Sequence, residues 1–310
     1  MAEITKPSDI NKIWAASGEI VTPADTKINN GWVEEIPPHE WENYLQNKQD
    51  LAIAHINQHG IAVWDSVTEY QAGKSYVTGS DGVIYVCIST NVNNNPVTDL
   101  SQAYWVNYSA NGYVLISSSQ AWAVPKILSL GIKKPKVTVQ AGGGSGALGI
   151  NNVRGGGGGA GGTAIGVVDL TGINSVNVTV GIGAAAITSN LINGGSGGSS
   201  SFLTLNASGG AGGVRYTTSI APSGGFGGSA SGGALNIRGG DGSDGTKLTL
   251  NGVDYDGGSA DGGSSYFGGG RRGGSGPGTP STTQAAPGSG GGGGTNVSAR
   301  GSNGLVLIEW

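Results

Sequence analysis

The sequence is poor in the groups that most chemistry needs. It holds one cysteine, Cys87, so no intrachain disulfide framework can brace it. It holds three histidines, His39, His55 and His59, and residues 60–310 have none, so no Ser-His-Asp order can be drawn through the larger part of the chain. No stretch approaches 18 consecutive apolar residues, which gives no candidate transmembrane helix. The opening Met-Ala-Glu-Ile-Thr-Lys-Pro-Ser-Asp lacks the charged-then-apolar order of a signal peptide, so synthesis in a cytoplasm is expected. Charged residues are 12% of the chain and the formal net charge is -4, with no basic stripe, so nucleic acid is not an expected partner. No cofactor motif appears.

What is abundant is glycine, and it is unevenly placed. Of 62 glycines, 8 precede Ala141 and 54 follow from there, whereas six of the seven tryptophans lie in the first 122 residues. The two parts must therefore be held together differently, one by aromatic packing and the other by something that needs no side chains.

Residues 1–61 read as a segment with one helix from about Pro38 to His59. Trp41, Tyr44, Leu45, Ala52, Ile53 and Ile56 recur mostly at spacings of three or four, and Gly60 is placed to stop the helix. Such a helix is marginal alone, so packing against copies of itself or against a partner is expected. His55 and His59, at i and i+4, can place two imidazoles on one metal ion, but no third ligand lies in sequence reach; polar residues near an interface or helix end is the other reading.

Residues 62–110 change character. Trp64, Tyr70, Tyr76, Tyr85, Tyr104, Trp105 and Tyr108 recur among Gly-Ser-Asp turns, which predicts short strands in a small β module whose aromatics do much of the packing. The order Trp64, Tyr70-Gln71-Ala72-Gly73, Val77, Gly82-Val83-Ile84-Tyr85, Pro96 and Trp105 resembles the chitin-binding-type carbohydrate-binding modules. That resemblance implies sugar stacking, with Trp64, Tyr70, Tyr85 and Trp105 as candidates; a structural core or spacer is the alternative. Cys87, where the family usually has alanine, reads as a small buried residue.

Residues 111–136 read as a connector leading into the strand Val137-Thr138-Val139-Gln140, which opens a head over residues 137–310. There glycine runs such as Gly155 to Gly159 and Gly290 to Gly294 alternate with inserts. Runs of five break the Gly-X-Y phase of collagen, and a flexible linker is the competing reading. Against the linker stand strand-like segments at 167–170 with 176–180, at 201–205, at 247–250 and at the terminus, Gly304 to Trp310. Ordering so many glycines costs about 1–2 kcal/mol of backbone entropy per residue, which backbone hydrogen bonding between packed polyglycine-II segments can offset. The expected fold is mainly β with an N-terminal helix: a small aromatic β module, then a glycine-rich head of polyglycine-II segments and strands, in a homotrimeric fibre.

Val137 to Gly144, Asp169 to Gly181, Gly197 to Phe202 and Gly301 to Trp310 together resemble the glycine-rich C-terminal domain of phage tail-fibre and receptor-binding proteins, and the composition is similar in design to the tip adhesins of T-even-type long fibres. The first segment likewise resembles the attachment ends of phage tail fibres. The resemblance implies a non-enzymatic virion-tail protein, joined to a baseplate or fibre protein through residues 1–61. Its partner would be an outer-membrane protein, lipopolysaccharide or capsule, contacted by inserts between glycine runs. A polysaccharide-degrading tailspike or a purely structural fibre are the alternatives. Tyr and Arg give large contact area at small entropic cost, so the candidate receptor contacts are Arg215, Tyr216, Tyr255, Tyr266, Phe267, Arg271 and Arg272, with a structural role open for Tyr266 and Phe267.

Overall fold

The computed structural model describes residues 12–150, 153–189, 192–217, 219–245, 247–256, 260–273 and 285–310, with backbone alone for 247–250 and 254–256. The chain forms two compact units, Met1–Ala110 and Asn111–Trp310.

In the first unit a short helix α1 (Asp25–Asn30) precedes the long helix α2 (His39–His59). Pro38 stands before the first turn of α2, Glu40 and Glu42 face its positive end, and Gly60, at φ 73, donates its N–H to Ile56 O. Ala54 is the one buried residue on α2, while Leu51, Ile53 and Ile56 stay about half exposed. Trp14 is tied to this helix by its indole N–H, donated to Asn43 Oδ1 at 2.9 Å, and Trp32 stacks on Trp41 with ring centroids 5.6 Å apart.

The rest of the unit is a three-stranded antiparallel sheet, β1 (Tyr76–Thr78), β2 (Ile84–Cys87) and β3 (Trp105–Asn107), in that order. Its core is Tyr70, Val77, Cys87 and Trp105, flanked by half-buried Trp64, Tyr85 and Tyr104. Burial pushes the Cys87 thiol up from its ordinary value, consistent with a small core residue. Carboxylates pin the loops: Asp99 accepts the N–H groups of Ala103, Tyr104 and Trp105, and Asp81 accepts from Val83 N–H and the Tyr85 hydroxyl. Burial and the Asp81 charge together push the Tyr85 phenol up to about 12.

The second unit begins with β4 (Tyr113–Ile116), β5 (Gln120–Ala123) and a single helical turn α3 (Lys126–Ser129). Then follow β6 (Lys136–Gln140), β7 (Thr163–Val167), β8 (Ser175–Thr179), β9 (Ser200–Phe202), β10 (Leu205–Ala207), β11 (Ala230–Ser231) and β12 (Leu235–Ile237). A hairpin, β13 (Lys247–Leu250) with β14 (Val253–Asp256), precedes the closing strand β15 (Leu305–Glu309). Two five-stranded antiparallel sheets result, ordered β12-β7-β6-β15-β4 and β11-β10-β9-β8-β5. They meet face to face through β6, β7 and β15 on one side and β9 and β10 on the other. Alternation along each strand sends Val137, Val139, Val306 and Ile308 inward from one sheet, and Val176, Val178, Phe202 and Leu205 from the other. Trp122 of the second sheet approaches Phe202 and the terminal Trp310.

Residues 111–136 are thus not a connector. β4 pairs with β15 and β5 with β8, so the segment supplies an edge strand to each sheet. The strand expected at 167–170 lies at Thr163–Val167, because it pairs with β6 in register. The one expected at 201–205 is two strands, broken by a turn at Leu203, which takes φ 50.

Beyond the sheets the strands run on as glycine segments. Segment 141–149 continues β6, and its N–H groups point in three directions by turns. Ala141, Gly144 and Ala147 donate to Gly162, Gly159 and Gly156; Gly142 and Ser145 donate to Gly198 and Gly195; Gly143 and Gly146 donate to Ser302 and Ala299. Its carbonyls accept from Gly210 and Gly213, from Ala184, and from Gly291 and Gly294. This three-residue period is that of a polyproline-II helix, and it bonds one segment to six others of the same chain. Segment 155–162 repeats the pattern, donating to carbonyls at 208–214, 240–243 and 288–294, and accepting from 141–147, 225–228 and Gly263. Only glycine permits such spacing: a Cβ at Gly158 would lie closer than 3.0 Å to backbone atoms of Gly144 and Ser145.

Gln140 marks the junction of sheet and lattice. It is fully buried, its Nε2 donates to the carbonyls of Gly161 at 3.0 Å and Ala141 at 3.1 Å, and its Oε1 accepts the Thr163 hydroxyl at 2.7 Å. Every polar group of a buried amide needs such partners.

Candidate functional site

The lattice has a sheet-side end and a far end. Among the described residues, the far end holds 149–150 and 153–155, then 187–189 and 192–194, then 214–217 and 219–223, then 245 and 247–256 with 260, and last 294–298. The first of these turns on a hydrogen bond from Val153 N–H to Ile150 O. In the third, Arg215 N–H donates to Asn193 Oδ1 at 3.1 Å, Tyr216 N–H donates to Leu148 O, and Thr217 bridges to Ile220. The fourth carries the β13–β14 hairpin, whose turn residues Asn251 and Gly252 take φ 52 and 76, as a two-residue hairpin turn requires. Loops of different sequence are so held side by side by one stiff frame.

The sequence candidates separate on this frame. Arg215 and Tyr216 lie at the far end, but Tyr216 is only 7% exposed, which corrects its expected role: its ring packs at the lattice end and offers little face to a partner. Tyr255 lies in β14 opposite Leu248, and its side chain is outside the described residues. Tyr266 and Phe267 form an edge-to-face pair, 5.2 Å between centroids, in the turn joining Ser265 to Gly268, level with Gly240 and Ala286 at the sheet side. Arg271 is half-buried on the lattice flank, and Arg272 beside it is exposed.

In the first unit Tyr70 and Trp105 are buried against each other, 5.1 Å between centroids, and the Trp105 indole donates to Asn94 O. Burial removes both ring faces from solvent, so neither can stack on a sugar, and Trp64 and Tyr85 pack against the same core. The exposed aromatic pair of this module is instead Tyr76 with Tyr108, edge to face at 5.3 Å. His55 and His59 stack at 4.4 Å, but His55 Nε2 accepts the Val63 N–H at 3.1 Å and His59 Nδ1 lies 2.9 Å from His55 O. The lone pair a metal needs is therefore already used on His55. Among the described residues no group of three or more His, Cys, Asp or Glu side chains is arranged for a metal ion.

One feature of the flank is not legible in the sequence. Arg271 and Arg300, 29 positions apart, line the same shallow recess of about 360 Å³ with Ser117, Ser302 and Asn303. Segment 288–294 brings them together: Arg271 N–H donates to Gly290 O, and Ala299 N–H to Gly292 O. Burial, and after it the repulsion of Arg300, holds the Arg271 guanidinium below its ordinary value. Only the three-residue phase of the lattice pairs these positions, and sequence spacing does not reveal it.

A protein-family model described as a glycine-rich domain matches residues 118–310, more than half of the chain. No curated protein matches the sequence.

Proposed function

This chain belongs to the glycine-rich domain family, and from that premise we propose that it is a non-enzymatic receptor-binding protein of a bacteriophage tail, which adsorbs the virion to a bacterial surface. The observation that carries the reading is the far end of the lattice, where the described segment ends, unlike in sequence, are presented side by side by one stiff frame. Such a frame leaves loop sequence free to vary while the hydrogen-bond lattice stays fixed, which suits recognition of a variable surface. Its partner is an outer-membrane protein, lipopolysaccharide or capsule.

The first unit supports the other half of the reading. A 21-residue helix that buries only Ala54 and leaves Leu51, Ile53 and Ile56 exposed suits a segment whose apolar face is covered by two further copies of the chain or by a virion protein. Residues 1–61 are accordingly the attachment segment of a homotrimer.

The test is direct. Fluorescently labelled full-length protein, incubated with a panel of bacterial strains, is expected to coat a subset of them. Arg215→Ala at the far end is expected to weaken coating about tenfold or more, and Tyr266→Ala, at the sheet-side end, to leave it unchanged. Failure to coat any strain, or release of saccharide fragments from purified capsule or lipopolysaccharide, overturns the reading.

A further inference from the structure

We infer that Asn251, in the hairpin turn at the far end of the lattice, is a site of spontaneous deamidation. The inference stands apart from the adhesin reading and does not need it. The sequence holds five Asn-Gly pairs, Asn30-Gly31, Asn111-Gly112, Asn193-Gly194, Asn251-Gly252 and Asn303-Gly304. The dipeptide is prone to ring closure, because a glycine has no Cβ to obstruct the approach of its nitrogen to the asparagine Cγ. In that step the Gly252 nitrogen bonds to Asn251 Cγ and gives up its proton, the Cγ–Nδ2 bond breaks, and the amide group leaves as ammonia. Water then opens the succinimide ring. Attack at Cγ gives aspartate, and attack at the main-chain carbonyl gives isoaspartate, so water is the only co-reactant.

The fold separates the five pairs. Gly112, Gly194 and Gly304 donate their N–H groups to Trp310 O at 2.9 Å, Gly213 O at 2.8 Å and Gly181 O at 2.8 Å. The carboxamides before them are held as well: Asn111 Oδ1 accepts from Lys133 Nζ at 3.1 Å, Asn193 Oδ1 from the Arg215 N–H at 3.1 Å, and Asn303 Oδ1 from the Gly183 N–H at 2.9 Å. Gly31 donates to Lys27 O at 2.9 Å, at the end of α1. Each of these pairs must break what holds it before its ring can close. Asn251 and Gly252 break nothing. Both are exposed, and among the described residues neither the Asn251 carboxamide nor the Gly252 N–H has a hydrogen-bond partner. Nothing lies within 4 Å of a carbon added at Gly252, so the turn has room to rotate. Aspartate would add a negative charge to a hairpin that already carries Asp254 and Asp256. Isoaspartate would also lengthen the main chain of a two-residue turn, whose length sets the register of β13 on β14.

The experiment holds the folded full-length protein at mildly alkaline pH, cuts it at acidic pH, and follows the five Asn-Gly peptides by mass and by isoaspartyl methyltransferase labelling. The Asn251 peptide is expected to convert at least about tenfold faster than those of Asn111, Asn193 and Asn303, which react only through local opening. Asn30, held by a single bond on a six-residue helix, is expected to fall between. Unfolding in denaturant is expected to bring the five rates together. Asn251→Gln, which cannot close a five-membered ring, is expected to remove the isoaspartate label from the hairpin peptide. Conversion of Asn251 no faster than the other pairs in the folded protein overturns the inference. So does a lead of the same size in denaturant, since local sequence rather than the fold would then set it.

Discussion

The aromatic module of residues 62–110 and the glycine lattice beyond Ala141 are both built from short segments with little conventional core, and they solve the same difficulty in opposite ways. The module invests in side chains. Trp105, Tyr70, Val77 and Cys87 supply its buried surface, and carboxylates such as Asp99 tie its loops to backbone N–H groups. The lattice removes side chains so that backbones can touch, and the N–H and C=O groups of its inner segments are satisfied by neighbouring chains. A fold of the first kind fails at its rings, and a fold of the second kind at the glycines where its backbones touch. Side-chain burial and backbone packing are thus alternative ways of offsetting conformational entropy, and each leaves its own pattern of weak points.

The contrast breaks most sharply at Gly158. A methyl group there would be forced into the backbone of segment 141–149, and no flexible side chain can yield. The cost is expected to exceed the about 1–3 kcal/mol of ordinary overpacking, with loss of hydrogen-exchange protection across residues 141–149 and 155–162 together. Gly269→Ala, with nothing within 4 Å of the added carbon, is the matched control and is expected to be silent. If Gly158→Ala leaves exchange protection intact, the lattice is looser than its hydrogen-bond pattern implies.

Trp105→Ala tests the other partner of the comparison. It removes a 1% exposed ring, its edge contact with Tyr70 and the hydrogen bond to Asn94 O. A loss of about 3–5 kcal/mol is expected, enough to unfold so small a module. Peptides of the lattice should keep their exchange protection, since Asn111–Trp310 is a separate unit. Loss of protection in both units would show that their stabilities are coupled.

How much of this could be read from the chain follows from the same physics. α2 was legible because its apolar spacing and Gly60 are local signals, and β8 because Val176 and Val178 alternate with polar residues. β4 and β5 were not readable as sheet edges, since their partners β15 and β8 are distant in sequence. Glycine runs announce close packing, but they carry no side-chain pattern from which neighbours can be assigned. The meeting of Arg271 with Arg300, and the separation of Tyr266 from Arg215, depend on which chain each N–H faces. The aromatic candidates failed for a related reason: spacing marks Tyr70 and Trp105 as important rings, but not which way they face.

Acid separates the two designs by the smallest effect. Burial pushes the Asp99 carboxyl up, but N–H groups donated by Tyr104, Ala103 and Trp105 and the Ser101 hydroxyl outweigh it, so its value lies below that of a free aspartate. A group whose folded value is depressed adds stability above its unfolded value, about 3.9. That stability is lost as the pH falls through the lower folded value. Asp65 and Asp81 are shifted the same way, the first chiefly by the Thr68 hydroxyl and the second by the Tyr85 hydroxyl. Three loops of the module therefore weaken together below about pH 4. The backbone amides of the lattice do not titrate in this range, and its depressed carboxylate Asp241 caps a single edge N–H, that of Gly227. Hydrogen exchange from pH 5 down to pH 2, corrected for the intrinsic rate, should show protection falling in residues 62–110 while 141–149 and 155–162 hold. Asp99→Asn should flatten the module's acid limb and leave the lattice unchanged. A lattice that loosens in step with the module would mean that its rim carboxylates, rather than its packed backbone, set its stability.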